Sequence, residues 1–133
     1  MVTVLTIWND RIAPVFDVAG QALLVVSEDG TALSRDNLVL PGNSAMAKVA
    51  WLAEARADVL VCGAISRPAR FAAHASGIEV YGFIAGNIRE VLQACLEGKL
   101  RESGFAMPGC HVRRGRGGGR TGRYGPGYST KDD

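Results

Sequence analysis

Four consecutive apolar residues, Val59, Leu60, Val61 and Cys62, stand between Asp58 and Gly63 with nothing polar alternating among them. A strand with one wet face alternates, so an unbroken run of this length is a strand covered on both faces, and the sheet that holds it is layered between helices. Gly63 breaks the run. Ser66, Arg67 and Pro68 then carry the start of a helix: a hydroxyl suited to capping, a cation, and a proline suited to a first turn. A central strand running into a helix opens a crevice at its carboxyl end. Open α/β sheets receive ligands there, because helix amides and the helix dipole attract anions. The same residues also fit an ordinary strand-to-helix connection through a tight glycine turn.

The rest of the chain supplies the sheet and the covering layers. Val2 to Trp8 is rich in β-branched residues and reads as a strand, after which Asn9, Asp10 and Arg11 turn the chain. Ile12 to Asp17 carries Pro14, which has no N–H for a ladder, and reads as a connecting or edge segment near the sheet end. Ala22 to Ser27 and Asn37 to Leu40 are further strands, closed by Glu28-Asp29-Gly30 and by Pro41-Gly42. Strands so close in sequence pair antiparallel. From Asn43 the period becomes helical: Ala45, Met46, Val49, Ala50, Leu52 and Ala53 recur after Asn43 or Ser44 as cap, to about Ala57. Ala69 to Ala75 gives a second helix stopped by Gly77, and Ile78 to Phe83 another strand. A third helix, Ile88 to about Glu97, is capped by Asn87 and gathers Ile88, Val91, Leu92 and Cys95 on one face. The expected architecture is an α/β domain over residues 1–110, with a mixed sheet of about five strands and helices on its faces.

Charge divides the chain near residue 110. Residues 1–110 hold 9 Lys/Arg and 11 Asp/Glu, whereas residues 111–133 hold 6 Lys/Arg and 2 Asp, so the net charge of +2 resides in the tail. Glycine is dense in RRGRGGGRTGRYGPGY and little there can be buried, so residues 111–133 are expected to be a disordered tail. Arg113, Arg114, Arg116, Arg120 and Arg123 with Tyr124 and Tyr128 resemble basic segments that bind single-stranded nucleic acid through phosphate contacts and stacking. A solubilising role or contact with an acidic partner fits them as well. No apolar run is long enough to cross a bilayer and the first residues lack a basic leader, so a cytoplasmic protein is expected. Cys62, Cys95 and Cys110 are odd in number, with no CxxC pair, which argues against a disulfide framework or a closed zinc site.

The first strand with its RIAPVFDVA continuation, the central VCGAISRP, the helix GNIREVLQACLEGKL and the later AMPGC together resemble the dinitrogenase iron-molybdenum cofactor biosynthesis family. The resemblance spans residues 2 to 110 and rests on four motifs in order rather than on any one of them. It implies a ribonuclease H-like, three-layer α/β fold. It also implies a small carrier, without catalysis of its own, for an iron-sulfur or iron-molybdenum-sulfur cluster passed to client proteins or received from cluster donors. Membership does not by itself make nitrogenase the client. The nuclease chemistry of the ribonuclease H-like fold needs carboxylates converging on two cations, and the first strand carries none.

The residues offer a limited set of ligands for such a cluster. Cys110 and His111 are adjacent, on a Pro-Gly segment, and have the chemistry to bind iron or another thiophilic metal; the alternative is a chance surface pair. Cys62 ends the central strand and either faces the crevice or belongs to the core. Gly63 would let backbone approach a bound group, and Ser66 caps the next helix. Arg11 and Arg67 lie in the two loops near the strand ends, where cations suit an anionic, sulfide-rich cluster or are merely solvated. Cys95 falls on the apolar face of the third helix, and His74 near the C-terminus of the second favours the helix dipole there.

Overall fold

The computed structural model describes residues 1–42, 44–101 and 104–107, together with the backbone of 102 and 113–115. β1 (Val2–Trp8) doubles back into β2 (Arg11–Ile12), pairing Trp8 with Arg11. The two residues between them, Asn9 and Asp10, both take left-handed φ, 51° and 62°, as a two-residue hairpin turn with the twist of the sheet demands and as Asn and Asp tolerate. A single 3-10 turn, Phe16–Val18, leads to β3 (Gln21–Glu28) and β4 (Thr31–Val39). The strand expected at Asn37 to Leu40 is thus longer and starts at once after the Asp29-Gly30 turn. It is a sheet edge whose residues are mostly exposed, so it shows no apolar alternation, and pairing with β3 alone defines it.

Helix α1 (Ala45–Glu54) opens at Ser44, whose Oγ accepts the Ala47 N–H at 3.0 Å. It ends three residues before the expected Ala57. Arg56 takes φ 59° beyond it, and the N–H groups of Arg56 and Ala57 donate to Ala53 O and Leu52 O, both at 3.1 Å. This is a left-handed helix stop made without the glycine that usually announces one. β5 (Val59–Val61), α2 (Arg67–Ala75), β6 (Glu79–Gly82) and α3 (Ile88–Leu96) come next in the chain. Ser66 and Asn87 cap the two later helices, and Gly77 and Gly98 stop them at φ 83° and 71°.

The sheet runs β4-β3-β1-β5-β6 and is extended by β7 (Arg113–Gly115), which lies antiparallel beside β6. β1, β5 and β6 are parallel, while β3 and β4 complete an antiparallel meander. Within the tail expected to be disordered, residues 111–133, the backbone of Arg113–Gly115 is described and pairs with the edge of β6. The remainder of the tail lies outside the described residues. β5 sits between β1 and β6 and is buried on both faces, as its sequence requires. Leu60 packs with Val49, Leu52, Ala69 and Ala73 under α1 and α2, whereas Val61 packs with Val91, Leu92 and Ala94 under α3. The buried side of α1 is Lys48, Val49 and Leu52, while Met46 and Ala50 face water. No helix among the described residues is long and apolar enough to cross a membrane.

Candidate functional site

The crossovers turn all three helices the same way. α1 follows β4, α2 follows β5 and α3 follows β6, and these strands point in the direction of β1, so Ser44, Ser66 and Asn87 all open helices at the carboxyl end of the sheet. That end carries positive potential from three helix dipoles. Of the expected site residues, Arg11, Cys62, Gly63, Ser66 and Arg67 lie at this end.

The loops at this end are laced together by backbone hydrogen bonds. Ala64 N–H donates to Pro14 O at 2.8 Å, Phe16 N–H to Ala64 O at 2.8 Å, Phe83 N–H to Gly63 O at 2.8 Å and Ile84 N–H to Cys62 O at 3.0 Å. Met107 N–H donates to Phe83 O at 2.8 Å, which brings the end of the body to the same place. Gly63 is needed here, but for a different neighbour than expected. A Cβ on it would meet Ala13 O at 2.5 Å and Pro14 O more closely still, so the backbone that approaches Gly63 is the chain's own Ala13-Pro14 segment and not a ligand. Between Gly63 and that segment there is no room for a cluster.

Of its two readings, crevice or core, Cys62 takes the core. Its side chain is 0% exposed, within the core that holds Phe16, Leu60 and Ile65. Burial raises its pKa far above the ordinary value of 9.0, the negative charge of Asp17 raises it further, and Arg70 opposes both more weakly. The thiol is thus closed inside the core and its thiolate disfavoured there. Ser66 caps α2, its Oγ accepting the Ala69 N–H at 3.4 Å, and its own N–H donates to Asp17 Oδ1 at 3.2 Å, which ties the 3-10 turn to the helix start. Arg11 and Arg67 are exposed, and neither guanidinium has a partner among the described residues. Cys110 and His111 lie outside the described residues. Among the described residues no three His, Cys, Asp or Glu side chains come together as a metal site.

Cys95 is half-buried on α3, and burial pushes its thiol up to about 12 from 9.0. Stability at high pH depends on this shift. Above about pH 9 the unfolded chain releases this proton while the folded chain keeps it, so folding stability is lost as pH rises, by about 1.4 kcal/mol per pH unit for one thiol. Urea unfolding between pH 9 and 11 should show the wild type losing stability more steeply than Cys95→Ala by about that slope. Equal slopes would mean that the folded thiol titrates normally.

Beside the closed loops, on the α3 side of β1, the same sheet end opens into a groove of about 710 Å³. Ile7, Leu23 and Leu92 give it an apolar floor, and Arg35 of β4 and Arg89 of α3 line it. Neither arginine has a partner among the described residues. Sequence reasoning missed both, since Arg35 sits in the polar stretch Ser34-Arg35-Asp36-Asn37 and Arg89 in the first turn of a helix. No local signal places Arg35: counted from the Asp29-Gly30 hairpin it would fall opposite Leu24, and only the register shift between Val26 and Ser27 sets it opposite Val25, on the α3 face.

Residues 1–98 match the family described as dinitrogenase iron-molybdenum cofactor. The chain belongs to this family. Solved structures agree with the fold. PH0822 superposes with a TM-score of 0.71 at 18% identity, over 79% of this chain and 97% of that one. The apo form of the orange protein from Desulfovibrio gigas gives 0.62 at 22% identity, over 74% of this chain and 88% of that one. No curated protein matches the sequence.

Proposed function

We propose that this member of the dinitrogenase iron-molybdenum cofactor family binds an iron-sulfur or iron-molybdenum-sulfur cluster as cargo and passes it between donor and client proteins, with no catalysis of its own. The observation that carries the proposal is the family match over residues 1–98. The sheet order, with two antiparallel strands on one side of β1 and two parallel strands on the other, supports the ribonuclease H-like reading of the fold. Arg11 and Arg67, exposed at the sheet end where three helix dipoles converge, suit an anionic cluster. In the sequence Cys110 follows Met107 by three residues, and Met107 N–H donates to Phe83 O at the sheet end. His111 is its neighbour. The thiols of Cys62 and Cys95 are free, as a reducing, cytoplasmic setting allows.

Anaerobic reconstitution with iron, sulfide and molybdate, followed by desalting and metal analysis, tests the ligand assignment. The Cys110→Ala/His111→Ala double variant is expected to retain less than about a tenth of the wild-type metal, as loss of ligating residues does. Full loading of the double variant removes these two residues from the site.

A further inference from the structure

The groove beside β1 is independent of the cluster reading, and its composition points to another kind of ligand. Its volume of about 710 Å³ is that of a pocket for an organic molecule, since such pockets span roughly 300–1,000 Å³. An inorganic anion would fill little of it. The apolar floor suits a flat, weakly polar body. At the rim, the carboxamides of Asn9, Gln21 and Asn37 offer donors and acceptors together.

Arg35 and Arg89 enter from separate walls, one on the edge strand and one on the helix, and both guanidinium groups are left without partners among the described residues. Against them the groove sets one carboxylate, Asp10, so it keeps an excess of positive charge. Two guanidinium forks match an oxyanion with more than two acceptor oxygens and more than one charge, which a phosphate monoester has and a single carboxylate lacks. The amides of the α3 terminus are not part of this, since Asn87 Oδ1 already accepts from Arg89 N–H at 2.9 Å and Glu90 N–H at 3.4 Å.

We propose that this groove, lined by Arg35 and Arg89 over Ile7, Leu23 and Leu92, binds a small organic phosphate of the nucleoside monophosphate class. The phosphate lies between the arginines, the base covers the apolar floor, and the carboxamides read its edge.

The test is calorimetric titration of the full, metal-free chain with adenosine monophosphate, inorganic phosphate, adenosine and citrate, alongside amide chemical-shift mapping. Adenosine monophosphate is expected to bind at least tenfold tighter than phosphate or adenosine alone and to shift the amides of Asn9, Gln21 and Asn37. Arg35→Ala and Arg89→Ala should each weaken it by tenfold or more without changing the melting temperature, because both side chains are exposed and unpartnered among the described residues. Absence of saturable binding, binding indifferent to both substitutions, or citrate binding as tightly as the nucleotide would overturn the proposal. Because no metal is present, none of these outcomes bears on cluster carriage.

Discussion

Gly63→Ala is expected to lower the melting temperature by roughly 10–15 °C, corresponding to about 3 kcal/mol, at the strong end of overpacking in a well-packed site. The added methyl cannot rotate away, since what it meets is the backbone of Ala13 and Pro14, and that backbone is itself held by the Ala64 N–H to Pro14 O hydrogen bond. Thermal unfolding followed by circular dichroism measures it. Gly20→Ala serves as control: nothing lies within 4 Å of its would-be Cβ, so it should be neutral or slightly stabilising. A Gly63→Ala protein as stable as the control would show that the Ala13-Pro14 segment does not close over the central strand, and would return Gly63 to the ligand role that its sequence position first invited.

Phe16→Ala is expected to cost about 3–5 kcal/mol, as truncation of a fully buried aromatic does. Phe16 is 0% exposed and packs in the core under α1 and α2, while its N–H donates to Ala64 O. It anchors the loop of residues 13–19 to the sheet end, so its loss should loosen the closure over Gly63 as well as open a cavity. Denaturant unfolding gives the magnitude, and hydrogen exchange at Ala64 and Phe16 gives the local effect. A loss below about 1 kcal/mol would place Phe16 outside the core, since burial of such a side chain is worth more than that.

Much of this architecture was legible because the relevant signals are local. The unalternating Val59 to Cys62 run forced a two-sided core, and Ser66, Pro68, Gly77 and Asn87 marked helix ends through capping chemistry that acts over a few residues. What stayed hidden depends on partners distant in sequence. β4 is a strand only because β3 pairs with it, and its exposed Ser34, Arg35 and Asp36 carry no periodicity of their own. The inward face of α1 was not assigned from the sequence, because an alanine-rich helix has little apolar contrast to orient it. Lys48, 1% exposed, takes the inward place. For the site, the placement of Arg11 and Arg67 in loops at the sheet end was legible, whereas Cys62 was left open between crevice and core, and Gly63 was read as admitting a ligand where the Ala13-Pro14 backbone approaches it. That covering joins residues some fifty positions apart, which local spacing does not reveal. The Arg35 and Arg89 groove was missed for the same reason.

Cluster carriage is tested most directly by the metal and acid-labile sulfide content of the full chain, purified without oxygen or reconstituted and then desalted. The proposed function predicts iron and sulfide, with or without molybdenum, in fixed ratio to the chain, together with visible absorption that co-elutes with the protein. A colourless protein that gives up all metal and sulfide on desalting would contradict it.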